Sequence, residues 1–135
     1  TINNFGEENM GMITESFLKK SIIYPLKGLT KMIEKIHFNE KYPENQNVRM
    51  LNKKDNKLQI IDKGKWKYVN KDETIRRLVD EKNSSLGDFY EDNKKVFTKA
   101  NKKRFESFRD KLDEDDKIFW DKVWNKLELV FWNSM

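Results

Sequence analysis

Apolar residues recur at helical spacing through the first third of the chain. Thr14 is a favoured N-cap residue, so we predict a short helix from there to about Ile23. Proline is tolerated in the first turn of a helix but not in its interior, and Pro25 therefore begins a second helix. The apolar positions of this second helix are Leu26, Leu29, Ile33 and Ile36. The domain is thus expected to open with two helices.

The pattern changes in the middle of the chain, where three short β-type runs are separated by polar, turn-like segments. These runs are Val48–Leu51, Leu58–Ile61 and Trp66–Val69, and Lys63-Gly64-Lys65 is the expected hairpin tip. Three short strands are not stable alone, so the sheet is expected to pack on helices.

The rest of the chain is helical in pattern. We predict a helix from Asp72 that Asn83-Ser84-Ser85 ends, and then one long helix or two helices broken near Asn101. The acidic run Asp113–Asp116 is suited to the N-terminus of a final helix. The prediction is an α+β fold of four to six helices packed around a small antiparallel sheet of two or three short strands. Residues 1–11 are assigned to a polar connector, and residues 12–135 to a single globular domain.

Composition excludes several classes of protein. The 135 residues include no cysteine, which rules out disulfides, thiolate zinc sites and cysteine nucleophiles within the chain. No apolar run approaches the roughly 20 residues of a membrane span, so no membrane partner is expected. The five glycines are scattered, and no phosphate-binding loop is recognisable.

The net charge of +5 is concentrated in residues 48–82, which hold eleven Lys/Arg against six Asp/Glu. A localised basic surface is typical of proteins that bind polyanions, although a solvated face has the same composition. Trp66 and Tyr68 share one strand face and would stack on bases, unless that face is the buried one. The candidate nucleic-acid-binding residues are Arg49, Lys53, Lys54, Lys65, Trp66, Lys67, Arg76 and Arg77.

The segment Ile36–Val48, called the connector here, is unusually rich in polar residues. Its candidates are His37, Asn39, Pro43, Glu44, Asn45 and Asn47. Asparagine side chains satisfy backbone groups in turns and proline fixes a bend, so a structural role is favoured. The enzymatic alternative is a metal-dependent nuclease with His37 as base and Asp62 or Glu44 as ligand.

A second nuclease hypothesis places Asp62 and Lys65 on adjacent strands. Because the chain has one histidine and no cysteine, we favour a non-enzymatic protein without catalytic residues, metal or cofactor, and leave the enzyme question open. The final helix carries Trp120 and Trp124, with Trp132 close to its end. This aromatic face either packs on the core or forms a self-association surface, which would make the protein a homo-oligomer.

Several strings resemble one viral family. These strings are INNFGEENM at residues 2–10, FLKKSIIYPLKGLTKMIEKIHFN at 17–39, the PEN and NV of the connector, GKW at 64–66 and KDETIRRLVD at 71–80. They are similar to the C-terminal conserved region of zinc-finger and coiled-coil proteins of giant DNA viruses, the mimivirus-like group. The resemblance covers roughly residues 2–90. Relatives carry further histidines where this chain has Tyr42 and Gln46, so a metal site there is not expected.

The resemblance implies a nucleic-acid context through a zinc finger preceding Thr1, in the cytoplasm or viral factory of an infected cell, and it implies no reaction. The predicted function is a non-enzymatic accessory or interaction domain, with oligomerisation included, of a DNA-associated zinc-finger protein. The alternative is direct nucleic-acid binding through the hairpin and helix of residues 48–82, and the nuclease is the least favoured reading.

Overall fold

The computed structural model describes all 135 residues and contains five α-helices and one sheet. The first two helices are α1 (Glu15–Ile23) and α2 (Pro25–His37). A single 3-10 turn (Pro43–Asn45) lies between α2 and the sheet. The predicted α+β class is confirmed, since helices surround one antiparallel sheet of three strands.

The boundary between the first two helices follows from local residue choice. Thr14 Oγ1 accepts a hydrogen bond from Phe17 N at 3.1 Å, which caps α1 as predicted. Pro25 occupies the first turn of α2, where its missing N–H costs nothing. Gly28 lies against Ser21, and a Cβ there would be 2.5 Å from the Ser21 Cα. Glycine therefore allows α1 and α2 to approach closely.

The three strands are β1 (Val48–Arg49), β2 (Lys57–Asp62) and β3 (Lys65–Asn70), paired in that order and all antiparallel. β1 is two residues shorter than predicted, and each of the other strands is one residue longer at both ends. Lys63 (φ 52°) and Gly64 (φ 77°) form the hairpin tip. Two left-handed central residues are the signature of a type I′ turn, which matches the twist of the flanking strands.

The helix after the sheet corrects the prediction. α3 (Lys71–Asn93) begins after Asn70, whose side chain caps it, and runs through the predicted stop at Asn83-Ser84-Ser85. Asn83 is buried and its Oδ1 accepts a hydrogen bond from Arg109 Nε at 3.2 Å, while Ser85 Oγ donates to the helix itself. Leu86 and Tyr90 continue the apolar stripe, and their burial outweighs the poor helix propensity of the polar trio.

The last third contains two further helices, α4 (Lys99–Asp113) and α5 (Lys117–Asn133). A 3-10 turn at Lys94–Val96 precedes α4, so the break falls before Asn101, and Thr98 rather than Asn101 marks the new helix by capping it. Asp116, at the end of the acidic run, accepts a hydrogen bond from Phe119 N and caps α5 as expected.

The core lies between the helices and one face of the sheet, with Leu29, Ile33 and Phe105 fully buried. The N-terminal residues also pack on this unit. Phe5 is buried in the core cluster, and its backbone N–H donates to Ile61 O at 2.8 Å. Residues 1–11 therefore include part of the folded domain as well as a polar stretch. None of the helices has the length and apolar composition required to cross a membrane.

Candidate functional site

The connector binds the N-terminal segment through buried asparagines. Asn45 Oδ1 accepts hydrogen bonds from Asn9 N at 2.8 Å and from Asn3 Nδ2 at 3.2 Å. Asn45 Nδ2 donates in turn to Asn9 O at 2.6 Å. Because Asn45 is fully buried, these bonds replace the water that its amide loses on folding.

Asn47 joins the same segment to the end of α2. Its Nδ2 donates to Asn3 O, Asn4 O and Glu8 Oε2 at 3.2, 3.1 and 2.7 Å. Its Oδ1 lies 2.9 Å from His37 Nδ1. Since the amide nitrogen already serves three acceptors, the oxygen is the acceptor for His37, and the histidine proton is therefore assigned to Nδ1. The other ring nitrogen, Nε2, is buried and has no hydrogen-bond partner.

Burial sets the electrostatics of this network. Burial is the main cause that lowers the pKa of His37 to about 4, and the positive charge of Lys82 lowers it further. Glu8 and the hydrogen bond with Asn47 act in the opposite direction. Burial also lowers the pKa of Lys82, although the negative charges of Glu8 and Glu81 act to raise it. At neutral pH His37 is therefore an uncharged, fully enclosed ring.

The remaining connector residues arrange the backbone. Asn39 Oδ1 accepts a hydrogen bond from Lys41 N at 3.0 Å, which is an Asx turn. Pro43 begins the 3-10 turn, and the carbonyl of Glu44 accepts a hydrogen bond from Asn3 N at 2.8 Å. The connector candidates thus either shape the bend or attach the N-terminal segment to it. The carboxylate of Glu44 does neither.

The residues of the two nuclease hypotheses do not converge. His37 is enclosed, and Asp62 forms a salt bridge with Lys67 at 3.6 Å. Asp62 and Lys65 are paired across the hairpin next to its tip, on an exposed turn rather than in a cleft. No three His, Asp or Glu side chains lie close enough together to hold a metal ion.

The exposed side of the sheet carries the densest group of predicted binding residues. Strand register aligns Arg49, Gln59 and Tyr68, and alternation adds Lys57, Ile61, Trp66 and Asn70 to the same side, where Ile61 is buried. Its charged, amide and aromatic residues on the three strands, Arg49, Lys57, Gln59, Trp66 and Tyr68, are called the outer face. The opposite side, with Leu58 and its neighbours, packs on α3. The aromatic residues of β3 therefore lie on the solvent side of the sheet.

A cation–aromatic pair organises the outer face. The Arg49 guanidinium carbon lies 3.8 Å from the centre of the Trp66 ring, and Arg49 Nε donates to Gln59 Oε1 at 2.9 Å. Such stacking holds the guanidinium group over the aromatic ring, and the other N–H groups of the guanidinium stay free to donate hydrogen bonds. Tyr68 is adjacent and 60% exposed.

The other basic candidates lie apart from the outer face or are neutralised. Arg76 forms a salt bridge with Asp115 at 2.5 Å and covers the Trp120 ring at 4.0 Å. Arg77 pairs with Glu81 at 2.8 Å. The helical part of the predicted basic surface is therefore largely occupied by contacts within the domain.

The lysines of the middle region are more accessible. Lys53 lies over the Trp132 ring at 4.9 Å, whereas Lys54, Lys63 and Lys65 are exposed and form no salt bridge. Lys65 and Lys67 alternate with Trp66, so they belong to the other side of β3. Positive charge thus surrounds the sheet on its loops and edges.

The three tryptophans proposed as an interface are each half-buried and contact residues of the domain. Trp120 Nε1 donates to Leu112 O at 3.2 Å. Trp124 packs against the core cluster, and Trp132 lies beneath Lys53. The most exposed apolar side chains of α5 are instead Ile118 and Leu129, at 82% and 53%.

Three contributors were missing from the predicted sites. Glu8 joins the buried network by a hydrogen bond, the charge of Lys82 lowers the pKa of His37, and Gln59 orients Arg49. Gln59 was detectable, because it lies at an alternating position of a predicted strand. Glu8 and Lys82 carry no local signal, because only the folding of distant segments brings their charges near His37.

No protein-family model matches the chain, and no match is found among curated proteins or solved structures.

Proposed function

We propose that this is a non-enzymatic accessory domain of a DNA-associated protein, and that its outer face contacts single-stranded nucleic acid. The observation that supports this most strongly is the Arg49–Trp66 stack beside exposed Tyr68. Tyr68 is 60% exposed, and an accessible aromatic ring on a sheet face is a stacking surface for an unpaired base.

The surrounding charge supports a phosphate backbone along the same face. Lys57 belongs to the outer face, while Lys53 and Lys54 lie in the loop between β1 and β2. A single strand offers both its phosphates and the faces of its bases, whereas a duplex buries the base faces in its stack. The combination of lysines and aromatic rings therefore favours single-stranded over double-stranded nucleic acid.

The sequence resemblance supports the wider context. If a zinc finger precedes this domain, as in the giant-virus proteins it resembles, the finger supplies duplex contacts and this domain an adjacent single-strand contact. The localisation that follows is the cytoplasm or viral factory of an infected cell. The outer face supports the proposal even without the resemblance, because this support uses only the positions of residues within this chain.

Fluorescence anisotropy with labelled oligothymidylate and oligouridylate at low salt tests the proposal. We expect Tyr68→Ala to weaken binding by about tenfold, since one base–aromatic stack is worth roughly 1–3 kcal/mol. Tyr24→Ala is the matched control, because Tyr24 is equally exposed at 60% but lies between α1 and α2. Equal loss in both variants, or no binding at low salt, would contradict the proposal.

A self-association role is the second candidate, and the exposed Ile118 and Leu129 of α5 favour it. Light scattering on the same protein separates the two. A dimeric mass that Leu129→Asp converts to a monomer, combined with no oligonucleotide binding, would assign the function to α5 instead of the sheet.

A further inference from the structure

A cleft of about 1050 Å³ opens between the C-terminal end of α2, the connector, β1 and the end of α5. Its position differs from that of the outer face, although Arg49 and Trp66 border both. The apolar part of its lining consists of Ile2, Phe38, Val48, Met50, Trp66 and Val130. A cleft with this lining is suited to the aliphatic or aromatic part of a ligand.

Carboxylates give the cleft a charge opposite to that of the whole protein. Glu34, Glu40 and Glu44 all line it, and none of the three takes part in a salt bridge. The only Lys or Arg in the lining is Arg49, whose guanidinium already stacks on Trp66 and binds Gln59. On a chain of net charge +5, this is a localised site for a cation.

A buried acceptor without a partner lies in the same wall. His37 contributes to the cleft lining, is fully buried, and carries its proton on Nδ1, so Nε2 is a free lone pair. A buried polar atom without a hydrogen bond costs stability, and such atoms are rare in native proteins. Because Nε2 is covered in the unliganded protein, a donor in the cleft would compensate this cost only after the side chains that cover the ring move aside.

We infer that the cleft captures a lysine or arginine side chain from an extended segment of a partner protein. The stem of such a side chain packs on the apolar lining, and its cationic head meets the three glutamates. Its N–H groups also supply the donor that the histidine lacks. This site shares Arg49 and Trp66 with the outer face but not Tyr68 or Lys57, and it gives the accessory domain a protein-binding role.

Isothermal titration with a short peptide of alternating leucine and lysine tests the inference, with a peptide of alternating leucine and glutamate as comparison. We expect only the lysine peptide to bind. The triple variant Glu34→Gln, Glu40→Gln, Glu44→Gln should reduce its affinity by about tenfold or more, since charge-assisted hydrogen bonds are lost. The matched control is Asp88→Asn, Asp92→Asn, Asp110→Asn, which removes three exposed carboxylates of α3 and α4.

His37 provides a second readout, because it is the only histidine of the chain and its imidazole resonances report on Nε2. We expect these resonances to shift when the lysine peptide binds. Binding that survives in the glutamine variant, absence of binding at low salt, or equal affinity for spermidine would overturn the inference. Tyr68→Ala should leave peptide binding unchanged, so failure here is distinguishable from failure of the single-strand proposal.

Discussion

The connector and the outer face of the sheet both combine polar and aromatic residues, yet the structure uses them in opposite ways. In the connector, Asn45, Asn47 and His37 are fully buried, and their hydrogen bonds end on the N-terminal segment. On the outer face, Arg49 and Tyr68 remain exposed.

This difference shows that residue type alone does not separate a structural site from a binding site. Buried amides must be satisfied within the fold, and each bond they form removes a group that a ligand would otherwise use. Exposed stacked groups retain free donors and free ring faces. Variants of the buried connector should therefore change mainly stability, whereas variants of the exposed outer face should change mainly binding.

The largest effect is expected from Asn47→Ala in the connector. The change leaves His37 Nδ1 and two backbone carbonyls without their partner, so we expect the free energy of unfolding to fall by about 3 kcal/mol. Asn39→Ala is the control, because its single Asx-turn bond is partly exposed and should cost less than about 1 kcal/mol. Chemical denaturation measures both, and equal stability of the two variants would remove the structural role of Asn47.

A similar magnitude is expected from the protonation of His37. Its pKa is about 4 in the folded protein, against an ordinary value of 6.5, so the unfolded chain binds the proton first as the pH falls. The free energy of unfolding should therefore fall between about pH 6.5 and pH 4, by up to about 3 kcal/mol from this residue.

Proton NMR of the single imidazole checks this pH dependence directly. In the folded protein the ring should still be neutral at about pH 5, whereas in urea it should titrate near its ordinary value. A folded-state midpoint near the ordinary value would show that His37 is hydrated, and that the connector is open rather than enclosed.

An intermediate effect is expected from Trp132→Ala on α5. Trp132 packs against the core cluster and lies under Lys53, so its loss should lower the free energy of unfolding by about 2 kcal/mol without altering the solution mass. Ile118→Ala, at an exposed position of the same helix, should change stability by less than about 0.5 kcal/mol. A change of mass in the Trp132 variant would show that the tryptophan serves an interface.

The smallest effect is expected from the charge of the outer face. Lys57→Glu should reduce the salt dependence of oligonucleotide binding, because each phosphate contact to a single strand contributes roughly 0.7 to the logarithmic slope. Lys103→Glu makes the same charge change on α4 and should leave the slope nearly unchanged. Identical slopes would indicate binding through overall charge instead of through the sheet.

The sequence predicts the elements of this fold better than their ends. Thr14, Pro25 and Asp116 act at helix starts through local chemistry, and each is visible from a few neighbouring residues. The predicted stop in α3 was wrong because the bond between Asn83 and Arg109 joins residues far apart in the chain. Local propensity could not show that this asparagine is satisfied inside a helix.

The candidate sites were also predictable only where local sequence pattern decides the arrangement. Alternation correctly puts Trp66 and Tyr68 on one side of β3, but only the packing of α3 decides which side of the sheet is covered. The basic residues of the strand and helix looked equivalent in sequence. Acidic residues supplied by other segments, such as Asp115 opposite Arg76, distinguish them in three dimensions.

Amide chemical-shift mapping of the isotope-labelled protein during titration with oligothymidylate locates the binding surface most directly. We expect the shifts to concentrate at Arg49 and across Lys57–Asn70, while the amides of Asn45 and Asn47 stay unchanged. Shifts centred on the connector or on α5, with the β2–β3 hairpin unaffected, would contradict the claim that the exposed outer face is the binding surface and the buried connector is structural.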